Sequence, residues 1–129
     1  MLRFAREVIL HGSAGEPAVT ELAERIGVRG VIELLRSRDA ALVIGDHPER
    51  RFQTFERTAR WRYVRFHRGT RGRGGNYSER ELERWAERLH EWRAAGEVYA
   101  YFNNDWSAYA PRNARWLAAR LAEQAGERD

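Results

Sequence analysis

The sequence predicts an α/β fold built around a four-stranded parallel sheet. Four short runs rich in β-branched or aromatic residues are each followed by polar or glycine-containing sequence, the pattern of buried strands running into loops. Helical periodicity separates the runs, and strands alternating with helices argue for parallel pairing. The 129 residues suffice for one domain with a sizeable core, residues 1–129, yet amount to about half of the roughly 250 residues of a complete eight-stranded α/β barrel.

The first strand is placed at 5–10 (AREVIL). Pro17 then suits the first turn of a helix that runs through VTELAERI to Gly27, a C-cap residue, and VIELLRSR forms a second helical piece. The second strand is expected at 40–45 (AALVIG) and the third at 61–67 (WRYVRFH). Between the third strand and the next helix lies GTRGRGG, 69–75, a loop of four glycines and two arginines. The following helix, 79–95, carries the clearest signals. Ser78 and Glu81 have capping-box spacing, Glu79, Glu81 and Glu83 suit the positive end of the helix dipole, and Gly96 is placed to close the far end. Leu82, Trp85, Leu89 and Trp92 share one face, the face expected to pack on the sheet. The fourth strand is EVYAYF, 97–102, and the last helix spans about 108–125, with Pro111 in its opening turn and Ala114, Leu117, Ala118 and Leu121 as its buried stripe.

Composition is that of a globular chain, since 43% hydrophobic residues supply enough apolar area to offset chain entropy despite 33% charged residues. The absence of cysteine removes disulfides, thiol nucleophiles and thiolate metal sites. The first ten residues contain Arg3, Arg6 and Glu7, and no run of about 18 apolar residues occurs, so neither a signal core nor a membrane span is expected and a cytoplasmic location is the default reading. The basic residues are all arginine. Residues 50–75 hold nine of them against Glu56 alone, a local balance of +8 in a chain of net charge +4, so this one segment supplies the positive field that a binder of phosphates or nucleic acid requires.

GDHP (45–48), YVRFH (63–67), a glycine-rich loop closing in NYS (76–78), and FNND followed by APRNA (102–105 and 110–114) occur in this order. On these elements the chain resembles the carboxyl-terminal half of the YecE-like family, domain of unknown function 72, over residues 31–121, with 1–30 divergent. The resemblance implies a unit equivalent to half of a TIM-like barrel, its loops gathered at the carboxyl ends of the strands. It implies no reaction.

Candidate chemistry clusters where strands end: His11; Asp46 and His47; His67; and Asn103, Asn104 and Asp105. In a parallel sheet these emerge at one edge, within reach of a common ligand. Two readings follow. In the favoured one a phosphate-bearing ligand or nucleic acid binds there, with Arg65, Arg71 and Arg73 supplying charge, Asn76, Asn103 and Asn104 hydrogen bonds, and Tyr77 a stacking surface, joined by Trp106. In the other, Asp46, His67 and Asp105 act as metal ligands or acid/base groups of a phosphoester hydrolase. The structural alternatives are a turn role for Asp46 beside Pro48, a hydrogen-bonded His67, and capping by Asn103 and Asn104. No sequence-local metal motif, P-loop or serine nucleophile elbow is present. A truncated descendant without activity is the third possibility. An open sheet cut from a barrel would leave two edges and an apolar face, which predicts a homodimer.

Overall fold

The computed structural model describes residues 17–49 and 54–126, with side chains from residue 27 onward. The elements are α1 (Pro17–Ser37), β1 (Val43–Asp46), β2 (Arg62–Phe66), α2 (Glu79–Arg93), β3 (Val98–Phe102), a 3₁₀ turn (Trp106–Ala108) and α3 (Tyr109–Gly126). The strands form a parallel sheet in the order β1-β2-β3. Among the described residues the sheet therefore has three strands; the strand expected at 5–10 lies outside them.

Alternation along β2 decides which face is buried. Val64 and Phe66 are fully buried, as is Ile44 of β1, whereas Tyr63 and Arg65 project to the opposite side. The buried face packs against Leu82, Trp85, Ala86 and Leu89 of α2 and Leu117 of α3. Aromatic contacts fill the layer: Phe66 stacks on Phe102 at a 4.2 Å centroid separation, and Trp85 and Tyr77 meet Phe66 edge-on. Arg120 of α3 reaches Glu83 of α2 at 2.8 Å and ties the two helices at their outer edge.

The helix starts follow the sequence closely. Ser78 and Glu81 form the reciprocal capping box, with the Ser78 Oγ accepting the Glu81 N–H and the Glu81 carboxylate accepting the Ser78 N–H at 2.8 Å. Helix α1 is broken at Gly27, whose φ of 68° and ψ of 172° are non-helical, so two helical pieces meet there as expected. Two expectations require correction. Helix α2 ends at Arg93 with Ala94 as its C-cap; Gly96 instead lies against the Arg60 carbonyl, where a Cβ would collide. In α3 the buried positions are Ala110, Asn113 and Leu117, with Leu121 partly buried, whereas Ala114 and Ala118 are exposed. Alanine is too weakly apolar to fix the stripe's phase, and the larger Leu117 and Leu121 set it.

The segment before β2 is fastened to the end of α1 by two side chains. The Thr58 hydroxyl donates to the Ala40 carbonyl and accepts the Leu42 N–H, both at 2.7 Å. The Asp39 carboxylate accepts the Arg60 N–H at 2.7 Å and its Nε at 2.8 Å, and those bonds hold its pKa below the usual carboxylate range.

Candidate functional site at the carboxyl ends of the strands

His47, His67 and Asn103 are each the first residue beyond their strand, β1, β2 and β3 respectively. Parallel pairing places them side by side, and together they line a cleft of about 570 Å³, a volume suited to a small ligand. The ladder continues into the loops: the His67 N–H donates to the Asp46 carbonyl and the Asn103 N–H to the Phe66 carbonyl, both at 3.0 Å. The Asn103 amide nitrogen lies 3.3 Å from His67 Nδ1, and His47 Nδ1 accepts the Glu49 N–H at 3.1 Å.

The glycine-rich loop forms one wall, through Arg68, Arg73 and Gly74. Its shape is fixed by the Gly75 carbonyl, which accepts the Gly69 N–H at 2.9 Å and Asn104 Nδ2 at 3.2 Å, and by the pairing of Arg71 with Asn76. Glu81 anchors the loop to α2, accepting the Thr70 N–H at 2.9 Å. Partial burial opposes ionisation of Glu81, but the bonds from Ser78 and Thr70 prevail and hold its carboxyl below the ordinary range.

Asp105 and Trp106 complete the lining. Trp106 is 73% exposed. The turn behind it holds Ser107 and Ala108 at φ of 54° and 56°, a conformation uncommon for non-glycine residues and of the kind that accumulates at functional sites. Arg112 donates to the carbonyls of both residues. Gly74 packs so closely here that a Cβ would stand 2.8 Å from both Trp106 and Tyr109.

Of the residues expected from sequence, His47, His67, Arg73, Asn103, Asn104, Asp105 and Trp106 meet in this cleft, Asp46, Arg65, Arg71, Asn76 and Tyr77 do not, and His11 lies outside the described residues. Asp46 belongs to β1, paired with Phe66, and its carboxylate accepts the Trp85 indole N–H at 2.9 Å. The strand ends one residue later than expected, so the first loop position falls to His47. Tyr77 is 2% exposed and packed on Phe66 and Phe102, which leaves no face for stacking a ligand. Burial, with the Asp46 charge beside it, pushes its hydroxyl far above the ordinary range. Arg65 lies within β2, between Gly45 and Tyr101. Arg71 and Asn76 serve the loop's own backbone pairing. Among the described residues no three His, Asp or Glu side chains gather as a group that could hold a metal ion; of Asp46, His67 and Asp105, the last two line the cleft. Arg68 and Gly74 were not singled out from sequence; the available signal was their place immediately after a strand and inside a glycine loop.

The family profile described as protein of unknown function DUF72 matches residues 24–128. The chain belongs to the DUF72 family. All residues of the cleft fall within the matched region. A crystal structure of a DUF72 family protein from Thermotoga maritima is similar with a TM-score of 0.66 at 26% identity, over 75% of this chain and 42% of that one. Two crystal structures of a DUF72 family protein from Enterococcus faecalis give TM-scores of 0.63 and 0.59 at 22% and 19% identity, over 74% and 81% of this chain and 42% and 45% of theirs. The chain thus spans less than half the length of the structures it matches. No curated protein matches it. Among the described residues no helix is long and apolar enough to cross a membrane.

Proposed function

We propose that this DUF72 chain binds a phosphate-bearing ligand, nucleic acid included, in the cleft at the carboxyl ends of β1, β2 and β3. The observation that carries this reading is the presence of Arg68 and Arg73 in the cleft lining, where their guanidinium groups are placed to make bidentate contacts to an anion. Polar groups from Asn103 and Asn104 complete the contact surface. Titration with pyrophosphate tests it. Binding should weaken steeply with salt, and Arg68→Ala with Arg73→Ala should lower affinity at least about tenfold, the scale of a lost charge-assisted hydrogen bond. Thermal stability should stay within about 0.5 kcal/mol, since both side chains are exposed. Unchanged affinity in the double variant would sink the proposal.

His67 and Asp105 share the same cleft, which favours metal-assisted phosphoester hydrolysis as the second reading, with these two as metal ligands or acid/base groups. Phosphate release from a generic ester would separate it from binding alone.

We further infer that the sheet is part of a half barrel completed by a second copy of the chain. Parallel sheets are normally covered on both faces. Here α2 and α3 cover one face, while Tyr99 and Tyr101 on β3 are 43% and 53% exposed.

A further inference from the structure

We propose that the ligand of this cleft is a phosphorylated sugar, free or as part of a nucleotide; the inference rests on the phosphate reading above and extends it to the rest of the molecule bound. The first observation is Asn104. Its side chain is buried, 5% exposed, and lines the cleft. The bond from Nδ2 to the Gly75 carbonyl fixes the amide's orientation, because a carbonyl can accept only from the NH₂ end. Oδ1 is left without a hydrogen-bond partner among the described residues. A buried amide oxygen requires a donor. The dianion of a phosphate ester accepts hydrogen bonds and donates none, so it satisfies Arg68 and Arg73 but not Asn104. A ligand that carries hydroxyl or N–H groups beside its phosphate supplies that donor.

Asp105 also lines the cleft, where its exposed carboxylate can accept hydroxyls. Trp106 adds the third requirement. Its largely exposed indole stands at the cleft on a turn with two left-handed non-glycine residues, and its edge is held by Gly74. A tryptophan presented in this way offers a flat apolar surface with positive ring edges and a negative face, complementary to the C–H face of a sugar ring. Acceptor oxygens for the arginines, donor hydroxyls for Asn104 and Asp105, and a flat apolar face for Trp106 together describe the complement of this cleft. A sugar phosphate has all three.

Calorimetric titration of the full chain with inorganic phosphate, ribose, ribose 5-phosphate and adenosine monophosphate provides the test. Ribose 5-phosphate should bind about tenfold or more tighter than inorganic phosphate, the scale of one satisfied buried acceptor. Trp106→Ala, a change at an exposed side chain, should erase that preference while the circular dichroism spectrum is retained. Asn104→Leu should do the same, and the tryptophan variant stands alone should loss of the Gly75 contact unfold the leucine variant. A nucleotide binding tighter than ribose 5-phosphate would identify the base as part of the ligand; equal affinities would identify the free sugar phosphate. Equal affinity for phosphate and ribose 5-phosphate, or a sugar preference that survives Trp106→Ala, would overturn this inference and leave the phosphate reading standing. Ribose binding as tightly as its phosphate would overturn the phosphate reading and the phosphorylated ligand with it.

Discussion

Asp46 shows what a single position decides. It sits two residues after Ile44 on the same strand, so the alternation that buries Ile44 also turns Asp46 toward α2, where it receives the Trp85 indole N–H. The period was legible in ALVIGD; what misled was the placement of the strand end at residue 45, which made Asp46 the first loop residue. Tyr77 failed for a related reason. It follows the glycine loop directly and was read as a stacking surface, but the ring fills the space beside Phe66 and Phe102. Asn103, Asn104 and Asp105 were legible because they lie just past a strand whose end was correctly placed at Phe102, whereas His67, expected as the last residue of its strand, is the first beyond it. The reassignment of Asp46 has a measurable consequence. Asp46→Ala leaves a partly buried indole N–H unpaired and should destabilise the fold by about 1–3 kcal/mol in urea denaturation, with affinity for pyrophosphate unchanged in the remaining folded protein. A variant of wild-type stability that has lost ligand binding would return Asp46 to the site.

At the scale of elements, the connection between the glycine loop and α2 depends on one carboxylate. Glu81 closes the capping box with Ser78 and also holds the Thr70 N–H, so the same group that starts the helix shapes the cleft wall. The helix start was readable from Ser78 and Glu81 alone; the bond to Thr70 was not, because it depends on how the glycines fold back. Glu81→Ala should cost about 1 kcal/mol, as loss of a helix cap does. The pH dependence has a definite sign. The folded pKa of Glu81 lies below its ordinary value of 4.5, so its contribution is complete above that value and is lost as pH falls through the lower, folded one. The stability gap between wild type and Glu81→Ala, measured by urea denaturation, should therefore be constant near neutrality and narrow below pH about 4.5. A gap that widens on acidification would contradict the assignment.

For the molecule as a whole, the parallel α/β architecture was legible because strand-like and helix-like periods alternate along the chain, and parallel pairing brings every strand's carboxyl end to one side. Family membership was legible for the same residues that build the cleft. Assembly was not, since exposure of a sheet face depends on what lies across from it. Strand β3 reads Val98, Tyr99, Ala100, Tyr101, Phe102, which is nearly symmetric about Ala100. A second copy packed against this face across a two-fold axis would bring the Tyr99 and Tyr101 side chains of the two copies together. Such an isologous contact is the commonest route to a dimer, and it would shield tyrosines that are now 43% and 53% exposed. Sedimentation equilibrium at micromolar concentration should give twice the 15.1 kDa mass of one chain. Tyr99→Glu together with Tyr101→Glu should restore the single-chain mass without loss of helical circular dichroism, because like charges would then face one another across the axis. A wild-type protein that sediments as a monomer would remove both the two-fold contact and the half barrel completed by a second copy.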